Sequence, residues 1–128
     1  MIYGIGIDQV SIDRIESILN RRSTRFTNTI LTKSELDQLS NTKSKQCFVA
    51  KRFAAKEAFA KALGTGIGKT VSWKDLSIES DDAGKPFYVC SDELQQHLTN
   101  NNITNTHLSL CDEKNTAVAY AILETQPV

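Results

Sequence analysis

The stretch RFAAKEAFAKALGTGIG, residues 52–68, decides how the rest of this chain is interpreted. It forms the second half of a helix predicted over roughly 44–63, and Gly64 stands where a helix commonly ends in a left-handed cap. One face of the helix carries an acid and a base among alanines, because the positions i, i+3, i+4 and i+7 are Ala54, Glu57, Ala58 and Lys61. Small neighbours leave room for a ligand, although the same spacing also suits a solvent-exposed Glu57–Lys61 ion pair.

The N-terminal segment IYGIGID, residues 2–8, alternates between large apolar side chains and small or acidic residues. We predict a strand that turns Tyr3, Ile5 and Ile7 toward the core and leaves its glycine face nearly bare. That bare face ends in Asp8. An acid at this position could bind a divalent cation, with Mg²⁺ suited to oxygen ligands, or it could simply cap the following turn.

The remaining pattern predicts one α+β domain covering residues 1–128, with an antiparallel sheet and a long central helix. Thr32 and Glu35 form a capping-box pattern at the start of a short helix. The last strand has one small-residue face and one larger apolar face, which suggests packing on both sides. The predicted order is β-α-α-α-β-β-α-β-β, with helices at about 12–22, 32–39, 44–63 and 91–100 and strands at about 2–8, 76–79, 86–90, 106–111 and 116–124.

The composition is that of an ordinary globular domain, with 128 residues, 14.2 kDa, 40% apolar and 23% charged residues. No apolar run approaches the ~20 residues of a transmembrane helix, and MIYGIGIDQV lacks the features of a secretory signal. We therefore expect a cytosolic (cytoplasmic) protein with no membrane partner. Its three cysteines are widely spaced and form no CxxC pair, so they indicate neither disulfides nor a zinc site.

The net charge of zero conceals a strong asymmetry. Residues 1–74 hold 13 of the 15 Lys and Arg residues, and residues 75–128 hold 9 of the 15 Asp and Glu residues. A basic half favours an anionic partner, such as a phosphate compound, an acidic protein or a nucleic acid. The chain has no aromatic RNA-binding pattern, helix-turn-helix signature or high isoelectric point, so we expect no nucleic acid. Neutralisation of one half by the other within a single domain is the plainer alternative.

Four segments in a fixed order span nearly the whole chain: GIGIDQVSIDRI (4–15), RFAAKEAFAKALGTGIG (52–68), GKP (84–86) and HLSLCDEKNTAVAYAILE (107–124). Together they resemble the holo-acyl-carrier-protein synthase family, the short bacterial 4′-phosphopantetheinyl transferases. The resemblance implies transfer of the phosphopantetheine arm of coenzyme A to a serine of apo acyl carrier protein, with release of adenosine 3′,5′-bisphosphate. It points to fatty acid biosynthesis, with the carrier domains of natural-product synthases as alternative acceptors.

The resemblance also implies which residues do the chemistry. Asp8 and Glu57 match the positions that bind Mg²⁺ together with the coenzyme A pyrophosphate, and Lys61 is expected to assist from the same helix face as Glu57. Phosphoryl transfer requires this neutralisation of charge and an aligned nucleophile. The acceptor of the serine proton is either Glu57 or a metal-held water. Further contacts to coenzyme A are expected from Arg52, Gly64, Gly66, Gly84, Lys85 and Pro86.

Two protein partners are implied as well. Family members are typically homotrimers with active sites between subunits, and acyl carrier proteins are acidic beside the modified serine. On a helical wheel Arg14, Arg21 and Arg25 fall within about 40° of one another, and Ile18 lies in the same basic stripe. We therefore predict that the stripe docks the carrier protein. A solvated basic face with an incidental isoleucine is the alternative.

The chain departs from the family pattern at Cys111 and Asp112. Many members have Ser/Thr-His at these positions, where the histidine is associated with coenzyme A contacts, and others have an Ala-Asp-Glu version. The sequence Cys-Asp-Glu at 111–113 resembles the second group. The histidine's role therefore cannot be transferred to this chain, and neither Cys111 nor Asp112 is given one.

Overall fold

The computed structural model describes residues 1–126 and has the predicted order of strands and helices. A 3₁₀ turn at Trp73–Asp75 precedes the second strand, and the capping box predicted at Thr32 and Glu35 is present. In the part of the chain described, no helix has both the length and the apolar character needed to cross a membrane. In chain order the elements are β1 (Ile2–Ser11), α1 (Ile12–Ile30), α2 (Lys33–Ser40), α3 (Lys45–Leu63), β2 (Leu76–Ser80), β3 (Pro86–Cys90), α4 (Asp92–Asn100), β4 (Ile103–Glu113) and β5 (Thr116–Thr125).

Two antiparallel sheets form the β part of the fold. The larger sheet has the order β1-β5-β4, and β2 pairs with β3 in a separate two-stranded sheet. Helix α3 packs across one face of the larger sheet, mainly against β1 and β5. The small-residue face of β5, with Ala117, Ala119 and Ala121, is completely buried. The result is the predicted single-domain α+β fold with a long central helix.

The glycines of β1, rather than its isoleucines, face α3. A Cβ atom added at Gly4 or at Gly6 would lie 2.0 Å from a backbone oxygen of the helix. Glycine is therefore required for the strand and helix to approach this closely. The prediction that the isoleucine face lies on the core is wrong, because Tyr3, Ile5 and Ile7 are all exposed.

Helix α1 is longer than predicted and is kinked. It continues to Ile30 instead of ending near residue 22, and Arg22 has non-helical φ and ψ angles of −144° and 41° at the kink. The turn between β4 and β5 holds the first residues of α1 in place. The backbone oxygen of Asn115 accepts a hydrogen bond from the N–H of Ile12, and its side-chain oxygen accepts one from the N–H of Asp13. The start of α1 is therefore attached to the larger sheet.

Candidate active site

Asp8 and Lys61 meet where β1 packs on α3. The Nζ atom of Lys61 donates to Asp8 Oδ1 and to the backbone oxygen of Ile7, both at 3.0 Å. The Asp8 side chain is 15% exposed and that of Lys61 is 52% exposed, so the pair lies at the edge of the strand–helix contact. The two residues are 53 positions apart in sequence. The close packing at the β1 glycines is what brings them within hydrogen-bonding distance.

Glu57 lies one helical turn before Lys61 and is partly buried. Burial raises the pKa of its carboxyl group above the ordinary value, and the negative charge of Asp8 raises this pKa further. The ammonium group of Lys61 opposes both effects. The three side chains therefore influence one another electrostatically and form one group, in which Lys61 makes its ion pair with Asp8.

The two carboxylates supply the kind of donor that Mg²⁺ prefers, namely oxygen. This ion needs few protein ligands, because it commonly keeps bound waters or takes oxygens from substrate phosphates. Within residues 1–126, no group of three or more His, Cys, Asp or Glu side chains is arranged to hold a metal ion. A metal ion at Asp8 and Glu57 would therefore need further ligands from water or a substrate. The donor set fits an ion shared with a phosphate compound.

Arg52 does not join this group. Its guanidinium is almost fully buried, donates to Gln38 Oε1 at 3.1 Å and lies 4.0 Å from the centre of the Phe48 ring. Five residues along a helix correspond to about 140° of rotation, so Arg52 and Glu57 lie on different faces of α3. This burial argues against the phosphate contact predicted for Arg52, although the Arg52 Nε atom has no hydrogen-bond partner among the described residues. The contact stays a prediction.

The predicted glycine contacts to coenzyme A fall in two separate turns. Gly64 ends α3 with a φ of 87°, and Gly66 follows with a φ of 65°, so both adopt left-handed conformations that favour glycine. Gly84, also with a φ of 87°, precedes Lys85 and Pro86 at the turn between β2 and β3. The first turn directly continues the helix that carries the site. Contacts from either turn to coenzyme A stay a prediction.

The predicted docking stripe borders a groove of about 470 Å³ between α1, α3 and the Trp73–Asp75 turn. Its Ile18, Arg21 and Arg25 line this groove, whereas Arg14 is exposed nearer the start of α1. We call this groove the arginine groove. Its full lining is Ile18, Arg21, Arg22, Arg25, Phe26, Thr29, Ile30, Phe53 and Trp73.

Three aromatic residues of the arginine groove were not indicated by the sequence pattern. The ring centroids of Phe26 and Phe53 are 6.3 Å apart, and those of Phe53 and Trp73 are 5.1 Å apart in a stacked arrangement. The three come from α1, α3 and the 3₁₀ turn, so no local spacing could have grouped them. The position of Phe53 inside the segment 52–68 was the available signal. The groove thus combines an aromatic surface with arginines.

Cys111 and Asp112, near the end of β4, have a modest structural role. Cys111 is exposed, and Asp112 forms an ion pair with Lys51 at 3.4 Å between partly exposed side chains. Exposed ion pairs of this kind contribute little to stability. These contacts assign no catalytic role to either residue.

The fold and the site together define a small α+β protein in which two carboxylates and a lysine gather at a strand–helix contact. A family model described as the 4′-phosphopantetheinyl transferase superfamily matches residues 4–121. The holo-[acyl-carrier-protein] synthase of Ruthia magnifica is 48% identical over 126 residues, covering 98% of this chain and 99% of that protein. The chain therefore belongs to the 4′-phosphopantetheinyl transferase superfamily, which confirms the resemblance found in its sequence.

Solved structures agree with this assignment. The holo-[acyl-carrier-protein] synthase of Neisseria meningitidis has a TM-score of 0.95 and 41% identity, with 98% of this chain and 100% of that chain covered. A holo-(acyl-carrier-protein) synthase of Bacillus anthracis in complex with CoA (3′,5′-ADP) has a TM-score of 0.84 and 41% identity, with 98% and 99% covered. The similarity extends over the whole domain and includes every element around the candidate site.

Proposed function

We propose that this protein transfers the 4′-phosphopantetheine group of coenzyme A to a serine of apo acyl carrier protein. A bond forms between the serine oxygen and the β-phosphorus of coenzyme A while the bond from that phosphorus to the bridging oxygen breaks. Adenosine 3′,5′-bisphosphate leaves, and the serine proton passes to a base. The observation that carries the proposal is the group Asp8, Glu57 and Lys61 at the β1–α3 contact, in a chain similar to holo-acyl-carrier-protein synthases over its whole length.

The chain's own residues account for the electrostatics of this reaction. Lys61 is half-exposed, so its ammonium can turn from Asp8 toward a phosphate oxygen and stabilise negative charge there. Asp8 and Glu57 would hold Mg²⁺, whose charge would offset that of the pyrophosphate. Two acceptors for the serine proton stay open, Glu57 and a water molecule. Without a bound metal ion, burial and the charge of Asp8 raise the pKa of Glu57.

The arginine groove is the proposed docking surface for the carrier protein. Arg21 and Arg25 would attract acidic side chains, and Ile18 with the aromatic residues would receive an apolar one. Arg14→Glu or Arg21→Glu should therefore raise the KM for the carrier protein and weaken its salt dependence, with the KM for coenzyme A nearly unchanged. A change confined to the coenzyme A value would instead place the basic stripe in the nucleotide site.

The exposed side of β1 supports the proposal of a homo-oligomer, with a homotrimer expected from the family resemblance. Ile5 and Ile7 are each 56% exposed, and Ile7 is paired in register with the exposed Tyr120 of β5. Contiguous apolar side chains on a sheet face are typical of a surface that packs against another protein. A second copy of the chain would cover it. The cytosolic location stays a prediction of the sequence.

The decisive experiment combines the protein with apo acyl carrier protein, coenzyme A and Mg²⁺ and measures the mass of the carrier protein. We expect a gain of one phosphopantetheine group. A carrier protein whose acceptor serine is changed to alanine is the matched control and should gain nothing. Absence of any mass gain with Mg²⁺ or Mn²⁺ would refute the proposed activity.

A further inference from the structure

A buried ion pair lies beneath the arginine groove and takes no part in the chemistry described so far. The side chains of Lys56 and Glu35 are both completely buried, with Lys56 Nζ 2.6 Å from Glu35 Oε1. Lys56 stands next to Glu57 in sequence but points into the core instead of the active site. An ion pair in this environment requires further hydrogen bonds to compensate for the loss of water.

Those further hydrogen bonds connect the two sides of the arginine groove. Lys56 Nζ also donates to the backbone oxygen of Ile30 at 2.6 Å and to that of Trp73 at 3.0 Å. Ile30 is the last residue of α1, Trp73 begins the 3₁₀ turn, and both line the groove. One ammonium group therefore fixes the distance between the helix that bears the arginines and the turn that bears the tryptophan.

Glu35 extends the same network to the elements behind the groove. Its Oε1 accepts from the backbone N–H of Thr32 at 3.0 Å, and its Oε2 accepts from that of Ile78 at 2.9 Å. The pair thus links the ends of α1 and α2 to α3 and β2. Including the 3₁₀ turn, five segments of the chain meet at these two side chains, which gives the groove a defined geometry rather than an adjustable one.

We propose that Lys56 and Glu35 are positioning residues for the acyl carrier protein: they hold Trp73 and the end of α1 so that the aromatic surface and the arginines face the carrier protein together. This inference rests on the proposed docking function of the groove. A displacement of about 1 Å between parts of a binding site can change a rate by about 100-fold. Loss of the pair should therefore affect recognition of the carrier protein before it affects coenzyme A.

The test uses the double variant Lys56→Met/Glu35→Gln in the full-length protein. Removing both charges avoids an unpaired buried charge, which would make a single variant prone to misfolding. We expect the KM for apo acyl carrier protein to rise about tenfold, with the KM for coenzyme A within about twofold of its original value. Trp73 is the only tryptophan, so its fluorescence reports on the groove directly. Acrylamide should quench it about twofold more efficiently in the variant, because the turn is no longer held.

Tyr88→Phe is the matched control, since it removes the buried 2.6 Å hydrogen bond from Tyr88 to the backbone oxygen of Ala55, next to Lys56. It should lower stability without changing either KM or the quenching of Trp73. A purely structural role for the ion pair would lower the folded fraction and hence the apparent kcat, with both KM values unchanged, and that result would overturn the proposal. Arg21→Glu, measured alongside, separates docking at the arginine groove from positioning of that groove by the ion pair. If it raises the carrier KM while the double variant does not, the groove is the docking site but the ion pair does not position it.

Discussion

Replacing Gly6 by alanine tests the central structural feature of this protein, the close packing of β1 on α3. The added Cβ atom would lie 2.0 Å from the backbone oxygen of Ala58 and 2.7 Å from the backbone nitrogen of Ala62. Real Cβ atoms essentially never lie closer than 3.0 Å to a heavy atom outside their own residue and its two chain neighbours. Because both obstructing atoms belong to the helix backbone, no side chain can rotate away. The strand and helix must separate by at least about 1 Å.

The separation should reduce both stability and activity. Overpacking a well-filled core lowers the free energy of unfolding by about 1–3 kcal/mol. Because the obstruction here is rigid, we expect Gly6→Ala to lower it by about 3 kcal/mol or more. Asp8 follows two residues later on the same face of β1, and Lys61 precedes Ala62 on α3. A separation of about 1 Å would therefore displace Asp8 from Glu57 and Lys61 by a similar distance. We expect transfer by the folded variant to fall about 100-fold.

Urea unfolding provides the stability measurement, provided that the slope of free energy against denaturant is unchanged. Activity is then measured under conditions in which the variant is fully folded. Gly68→Ala is the matched control, because its Cβ would meet no atom within 4 Å and its φ lies outside the left-handed region. Neutral substitutions change the free energy of unfolding by no more than about 0.5 kcal/mol. If the free energy of unfolding of Gly6→Ala differed from that of the original protein by no more than this, the proposed strand–helix packing would be wrong.

Three further predictions address the site, the sheet face and the core. Asp8→Ala and Glu57→Ala should each lower activity about 100-fold in a folded protein, and the double variant should be little worse than either. EDTA should abolish the activity of the original protein, and near-normal turnover of one variant would exclude that residue as a metal ligand. Ile5→Lys or Ile7→Lys should lower the particle mass measured by light scattering to that of one chain, whereas an original protein that is already monomeric would contradict the assembly. Arg52→Ala should lower the free energy of unfolding by about 2 kcal/mol with the KM for coenzyme A unchanged, because its guanidinium is bound within the core; a raised coenzyme A value would restore the phosphate contact.

The order of elements was predictable because its signals are local. Thr32 and Glu35 marked a helix start, Gly64 marked a helix end, and alternating residues marked the strands. The buried face of β1 was not predictable in this way. Hydrophobicity indicates that the side with Ile5 and Ile7 avoids water, but it does not distinguish the chain's own core from a surface for another copy. The decisive contact was instead made by glycines, which carry no hydrophobic signal.

The local sequence pattern grouped only the candidate site residues that one helix contains, and Asp8 was added to them by the family resemblance. The spacing of Glu57 and Lys61 places them one turn apart, whereas the contact of Lys61 with Asp8 depends on how β1 packs against α3. The same limit applies to Arg52. Its partner Gln38 lies on another helix, so the local pattern could not show that the guanidinium is already bound in the core. The local sequence pattern shows whether a charged group is already paired only when its partners are nearby in the chain.

Helix α3 shows why these charges divide into two roles. Twelve of its 19 residues are buried, since alanines allow the sheet on one side and α1 on the other to pack closely against it. A charged side chain on such a helix must find partners in the core or reach the edge of the packing. Lys56 has its full set of partners inside the core. Glu57 and Lys61 reach the edge, where the buried network does not satisfy their charges. Together with Asp8, they are therefore the residues that we propose act on the substrate, Lys61 directly on a phosphate oxygen and the two carboxylates through a metal ion.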